Sequence, residues 1–523
     1  MSDDSSQQGL FGTRARFVVL LLVVLCLTSV WSNILTFNFA VICMNPEVDE
    51  LEKAHISRRD ADDSDEDDFR KNSTIFNDTI IDKMMKERIS FTSQQQTYAI
   101  SIVAVAAILA NFPVIFLVNR FGVRRVFGIG GLLSAITTIL IPFGIRFGYP
   151  YFLALRFLQG LAFAANLPAI GAFCARWAYH KQNGLFIAST VAYLQLAPGF
   201  TNPISGPICE HLGWPSVFYL HGCVGLVLFI IYGFFYRNNP GKHPFVGDIE
   251  KNKIGREKPI HEGKKAAQRV PYGAILSTPA IWAVWIAAIG SFSVVNLIFL
   301  YSPTYMSKVL GYSISHSGFT SALGPLAQAA MKVSVGGVSD KIRFMSEVNK
   351  LRMFNSIAIF GSFFFLIVLS FVDPKYSTIC VLLFGTASGI IGANTGGFFR
   401  AAPILSKQYS HFVTGNISLA ITVTMVIVPF IVNAIVKENR ADEWRMVFCI
   451  LGGFMAITNV IFVLLVKGEP CEWTESNPHK NIISPIKTIP KEMESTTESA
   501  FSHVDHMEND HQKKVFSVLN YSN

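Results

Sequence analysis

The chain is short of charge: only 15% of its 523 residues are Asp, Glu, Lys or Arg. That excludes an ordinary soluble domain, in which about a quarter of the residues are charged. It also lacks any CxxC pair. Its eight cysteines (Cys26, Cys43, Cys174, Cys209, Cys223, Cys380, Cys449 and Cys471) are scattered in or beside apolar runs, so neither a zinc site nor a disulfide framework is expected. No Walker loop, dinucleotide loop, HExxH or GxSxG motif is present, so the expectation is no enzyme, no cofactor and no nucleotide-driven pump.

What the chain does have is apolar length. Half of it (51%) is hydrophobic, with 44 phenylalanines, and the charges are gathered in a few stretches. The runs between them can cross a hydrocarbon core of about 30 Å, which takes roughly 20 helical residues. Twelve such runs fall at about 17–44, 96–118, 126–146, 150–175, 184–207, 215–236, 274–302, 314–337, 352–372, 376–399, 411–436 and 445–467. The first is longer than a signal-peptide core and has no clear cleavage site, so it reads as a retained helix. The fold class expected is an all-α membrane protein of about twelve transmembrane helices. The net charge of +8 does not call for nucleic acid, because the basic residues sit in short loops beside the runs, where the positive-inside rule puts them.

Loop charge sets the topology. Residues 45–95 carry fourteen acidic and eight basic side chains, whereas 237–271 carry nine basic and four acidic. Basic loops stay cytosolic, so the acidic loop faces the other side, where the sequons at Asn72 and Asn77 would meet glycosylation enzymes. Twelve spans return the polar tail 468–523 to the side of residues 1–16, which places both termini in the cytosol. The tail has few core-forming residues and is expected to be disordered. The membrane is either the plasma membrane or that of an intracellular vesicle.

The two halves echo each other. Trp214, Val217, Phe218 and Gly222 recur at the same spacing as Trp444, Val447, Phe448 and Gly452, and the loop Asn119–Arg125 parallels Ser339–Arg343. The chain therefore divides into a six-helix half at 17–236, a cytosolic loop at 237–273 and a second six-helix half at 274–467. Residues 119–125 resemble the major facilitator pattern G-x-x-x-D-R-x-G-R-R, and Arg156-Phe-Leu-Gln159-Gly160 resembles the R-x-x-Q-G pattern of helix four. Arg156–Pro168, Trp177-Ala178, Gly213–Gly225, Ala402-Pro403 and Glu443–Gly452 are similar to the sodium-phosphate, sialic-acid and vesicular glutamate carriers, the anion:cation symporter branch. The resemblance spans about 90–467. It implies a single-chain carrier, monomeric, that moves a small-molecule anion by alternating access within the lipid bilayer, coupled to an ion such as sodium or a proton.

In that resemblance Arg156 matches a helix-four arginine that recognises the substrate's anionic group, with Gln159 one turn on. A guanidinium inside a membrane helix is costly unless it faces a cavity or bonds to a neighbouring helix, and both roles stay open here. Lys332 is a second cation inside a span, either lining the cavity or snorkelling to the interface. Asn296 and Tyr301 on helix seven join these as substrate-site candidates. Asn33, Asn38, Asn166 and Asn394 are further polar side chains that could line a cavity, and Gly385/Gly389 and Gly392/Gly396 have the spacing for close helix packing. Arg400 suits a cytosolic interface and stands where the family commonly has an acid.

No Asp or Glu lies well inside any run. The glutamate that proton-driven relatives carry seven residues after the helix-four arginine is Phe163 here, which rules out proton coupling through that residue. His221 is left as the candidate coupling group, a packed histidine being the commoner case. Asn119, Arg120, Arg124, Arg125, Asp340 and Arg343 resemble the gating residues that hold the cytosolic helix ends together. Asn119 stands where the pattern has Asp, which weakens that latch. The rival readings are a carrier for neutral or cationic solutes, a sensor of the same fold that does not transport, and an anion-conducting channel.

Overall fold

The computed structural model describes residues 14–44, 91–179, 182–255, 270–342 and 344–474. The sequons Asn72 and Asn77, Arg343, nearly all of the acidic loop and the tail from 475 onward lie outside the described residues. Among the described residues every regular element is a helix. That follows from the solvent, because hydrocarbon offers backbone N–H and C=O no partner outside the segment itself.

The first group comprises α1 (Ala15–Met44), α2 (Ser93–Phe121), α3 (Val123–Phe147), α4 (Tyr149–Phe163), α5 (Asn166–Trp177), α6 (Asn183–Val191), α7 (Tyr193–Leu212) and α8 (Trp214–Phe235). Two short helices follow, α9 (Asp248–Gly255) and α10 (Tyr272–Leu276). The second group comprises α11 (Pro279–Thr304), α12 (Ile314–Lys341), α13 (Glu347–Phe371), α14 (Ser377–Ile390), α15 (Phe398–Ser406), α16 (Ser410–Ile435) and α17 (Ala441–Leu465). At 30 residues α1 is about 45 Å long, enough to cross with margin.

Local chemistry sets the helix ends. Thr92 and Gln95 form a capping box at the start of α2, and the Ser313 and Ser346 hydroxyls accept from the first turns of α12 and α13. Between α2 and α3 the chain reverses on Gly122 alone, at φ +81°. A Cβ there would also lie 2.4 Å from the Asn238 amide, so only glycine fits. The Oδ1 of that same Asn238 accepts from the Arg124 N–H and caps α3.

Among the described residues, eleven helical stretches are long and apolar enough to span a membrane. The twelfth expected span, α12, is long enough at 28 residues but too polar to be among them, since it carries His316, Gln328, Lys332 and several serines. Its place explains this: α12 packs along α7, between the two groups of helices, where protein takes the place of lipid. The helices most enclosed by protein are α1 and α11, the first of each group.

The cysteine expectation is corrected. Cys43, at the end of α1, and Cys209, near the end of α7, form a disulfide. Residues 166 apart in sequence give no spacing signal, and it is the parallel packing of α1 on α7, which puts both C-terminal ends on one side, that brings them together. Both lie toward the 45–95 loop, the side that charge topology predicts to be extracytosolic and therefore open to oxidation.

Among the described residues, the hydrogen bonds between the two groups gather at one end. Three hydrogen bonds cross between them among the described residues: Ser101 to the Val426 carbonyl, Asn202 to Ser321, and the Ser315 N–H to Glu210. The ring pair Tyr98–Phe430 crosses there too, and Gly318 lies so close to the Asn202 carbonyl that a Cβ would sit 2.4 Å from it. All of these are on the side of the 45–95 loop. Toward the central loop the same helices separate: Gly336, Gly337 and Gly415 face open space, and Val333 is 79% exposed.

Candidate functional site

Two helices are interrupted in mid-membrane, at matching positions. The α4–α5 pair breaks at Ala164-Ala165, where the Ala165 N–H reaches only the Ala162 carbonyl at 3.2 Å. The α14–α15 pair is interrupted by a tight 3-10 stretch, Ile391–Gly396, closed by the Gly397 N–H on the Asn394 carbonyl at 2.9 Å. Asn166 and Asn394 each stand seventeen positions past the first residue of their helix pair, 149 to 166 and 377 to 394. Sequence chemistry explains both breaks. Pro168 lacks an N–H and restricts the residue before it, and 392–397 holds three glycines, which weaken helix through backbone entropy. Paired discontinuities of this kind are where transporter folds bind their cargo, because loosened backbone is tolerated at that depth only beside a cavity.

Buried polar atoms without partners gather at the same level. Asn394 donates to the Ser291 hydroxyl but its Oδ1 is unpartnered, as are Gln328 Oε1 on α12, Gln195 Oε1 on α7 and Trp31 Nε1 on α1. Asn166 is fully buried, its amide against the Tyr193 hydroxyl without a well-formed hydrogen bond. Each unpaired buried polar group costs about 1–3 kcal/mol, so such a set calls for water or a polar ligand.

Arg156 sits toward the sealed end and is fully buried. Its Nε donates to the Ala99 carbonyl at 3.0 Å, and its Nη1 donates to the Ile34 carbonyl at 3.1 Å and to Gln159 Oε1 at 2.8 Å. The Gln159 amide in turn donates to Thr138 and to the Asn33 carbonyl, so the pair ties α1, α2, α3 and α4 together. Its Nη2 has no partner, and no described carboxylate lies within ion-pair distance. The plane of the Phe37 ring lies under the guanidinium at 5.0 Å.

Lys332 lies beside the α14–α15 break, one turn past Gln328. Its ammonium stands 5.5 Å from the centre of the Phe399 ring, and the Gly392 backbone packs directly on the Lys332 and Gln328 backbone. A side chain at Gly392 would push α12 away from the break. The glycine spacing noted in the sequence thus serves packing at Gly389 and Gly392, both against α12.

The other candidates are placed elsewhere. Asn296 is committed to α16, donating to the Ile421 carbonyl and the Thr424 hydroxyl. Tyr301 lies near the sealed end against the Trp444 ring. No hydrogen bond among the described residues joins either to Arg156 or Lys332. Asn38, also toward the sealed end, is buried with both amide atoms unpartnered, whereas Asn33 donates to Ser134. Both ring nitrogens of His221 lie against serine hydroxyls, Nδ1 at 3.0 Å from Ser32 and Nε2 at 3.1 Å from Ser205, so it joins α1, α7 and α8.

At the parted end, the loop cations of the first copy of the repeated loop stay on their own group. The Arg124 guanidinium donates to the Gly233 carbonyl of α8, Arg120 stacks on Phe121, and Asn119 and Arg125 are exposed. Arg400 bridges Ser339 and Glu347, and Lys350 shares that carboxylate at 2.7 Å. These contacts stay within the second group.

Comparison with known proteins agrees with the fold. Residues 72–403 match the Major Facilitator Superfamily. Sialin of Ovis aries is 28% identical over 380 residues, 72% of this chain and 76% of that protein. The sodium-dependent phosphate transport protein 1 of Rattus norvegicus is 23% identical, over 76% of this chain and 85% of that protein. Among solved structures, a bacterial homologue of the human lysosomal transporter Spinster superposes with a TM-score of 0.59 at 12% identity, covering 86% of this chain and 97% of that one.

Proposed function

Since the chain belongs to the Major Facilitator Superfamily, a family of membrane transporters, we propose that it carries a small anion by alternating access, binding it at the paired helix breaks. Loop charges orient it with both termini and the central loop in the cytosol, so that the parted end is the cytosolic one and the described state is inward-facing. The carrying observation is charge imbalance in the interior. Arg156 and Lys332 are cations without a carboxylate partner among the described residues, and the mid-membrane polar atoms around them are short of partners. An anion of the carboxylate or phosphate class supplies both the charge and the acceptors. Relatives named for sodium-dependent phosphate transport support the same class.

The roles divide by depth. Lys332, beside the break and the parted end, meets the substrate in the inward-facing state. Arg156, behind the sealed end, offers its unpartnered Nη2 when that end opens. Asn166, Gln328 and Asn394 supply polar contacts that fix orientation, and rocking of the two groups exchanges the open ends. The coupling ion is the finer part of the reading. No described Asp or Glu lies well inside a span, and His221 is held on both sides by serines, which favours sodium over a proton.

Uptake into proteoliposomes tests the proposal. Labelled phosphate, glutamate or a sugar carboxylate should accumulate and exchange, with Lys332→Ala and Arg156→Ala each lowering the rate at least tenfold. Competition by organic cations but not by anions would overturn it, as would unimpaired transport in both variants. Imposing a sodium gradient and a pH gradient separately identifies the coupling ion.

A further inference from the structure

A cavity of about 570 Å³ opens on the outer flank of the first group, between α3 and α8 at the central-loop end, lined by neither helix break. Its upper rim holds Arg124 and Arg125, and its wall is apolar: Ile129, Leu132, Phe229 and the bare backbone of Gly233. The flank below stays apolar and uncovered, with Ile136 and Leu140 on α3 and Ile230 and Phe234 on α8 exposed, so the groove faces lipid rather than the transport path.

The two arginines differ in what they have left to offer. Arg124 donates through Nε and Nη2 to the Gly233 carbonyl, which pins it to the groove wall. Arg125 is exposed, and among the described residues its side chain enters no hydrogen bond or ion pair. A fixed cation and a free one stand above an apolar trough at headgroup depth. Water would leave the trough unfavourably wetted, and a neutral lipid would leave the charges unmatched.

We propose that this groove is a binding site for one anionic phospholipid, its phosphate on Arg125 and the rim of Arg124, and an acyl chain along Ile129, Leu132 and Gly233. Charge complementarity selects the headgroup, and the position between two membrane helices at a basic end selects a lipid over a soluble ion. The site gives Arg125 a role in the described state, in which it touches nothing of the second group. Because Gly122 lets α2 meet α3 with no linker, a lipid held here bears directly on the first helix pair.

The test uses full-length protein in neutral detergent titrated with phosphatidylserine, phosphatidylcholine or soluble glycerophosphoserine, reading melting temperature and, by native mass spectrometry, bound lipid. Phosphatidylserine alone should bind and raise the melting temperature. Arg125→Ala should weaken it about fivefold, in line with one basic residue at a membrane surface. Gly233→Leu should abolish it, because a Cβ at Gly233 meets no atom within 4 Å, so the added side chain has room to enter the trough. Equal binding of phosphatidylcholine, or phosphatidylserine binding retained in both variants, would overturn the proposal. Binding of glycerophosphoserine as strong as that of the lipid would make this a site for free phosphates and reject the lipid.

Discussion

The two ends of the bundle are built from the same four seam helices, yet one is sealed and the other parted. At the end near the 45–95 loop, α7 and α12 touch through glycine: a Cβ at Gly206 would lie 3.0 Å from Ser315 Cα, and one at Gly318 would lie 2.4 Å from the Asn202 carbonyl. At the other end Gly336 and Gly337 of the same α12 meet nothing within 4 Å. The same residue type, on the same helix, is under contact at one end and free at the other. Glycines at both ends of a seam are what a rocking mechanism requires, because each end must close tightly in turn.

The sealed end also has a covalent element that the parted end lacks. Cys43–Cys209 ties α1 to the part of α7 against which α12 rests. A disulfide contributes typically about 2–4 kcal/mol, so a membrane-impermeant reductant should lower the melting temperature by several degrees. Cys43→Ser should start at the lower value and not respond to reductant. Equal melting temperatures with and without reductant would show that packing alone holds the sealed end.

The glycines give the next effect, and one that separates the ends. Gly318→Leu forces α7 and α12 apart and should cost about 1–3 kcal/mol of the sealed state, shifting the protein toward the opposite opening. Gly336→Leu is accommodated in the described state and should leave the melting temperature unchanged, but it blocks closure of the parted end, so transport should fall at least tenfold. Spin-label distances across each end would read the two shifts. If both variants moved the same end, the assignment of one sealed and one parted end would fail.

Most of the frame was legible in the sequence because it rests on composition. Eleven of twelve spans, the repeat and the basic loops follow from hydropathy and charge, which need no three-dimensional context. α12 was expected to resemble the others. Its polarity is a consequence of lying between the groups, which a linear hydropathy reading cannot show. Arg156 and Gln159 were picked out as a pair and are one, at 2.8 Å. That they serve four helices at once depends on carbonyls of Ile34 and Ala99 far off in sequence. The helix breaks went unread although the signals were there: Pro168 after Ala164-Ala165, and the glycines of 392–397, which the spacing argument spent on packing alone. At the loop of Asn119 and Arg124 it is Asn238, from the central loop and far off in sequence, that caps α3.

The smallest predicted effect concerns the carboxylate at the sealed end of the seam, Glu210. Its carboxylate accepts from the Ser315 N–H at 3.1 Å, in the first turn of α12, where the helix dipole favours a negative charge. Glu210→Gln preserves a hydrogen-bond acceptor and removes the charge, so it isolates the electrostatic part of the contact. That part is worth about 0.3–1 kcal/mol at an exposed helix end, which is roughly a twofold to fivefold shift of population toward the state open on this side. Spin labels on the facing ends of α7 and α12 would measure it, and the shift should shrink as salt is raised, because exposed charges are screened. A shift that persists unchanged at high salt would mean that the carboxylate acts by shape. In that case the sealed end would owe nothing to charge and be held by the close-packed glycines, the Asn202–Ser321 and Ser101–Val426 hydrogen bonds and the Tyr98–Phe430 ring pair.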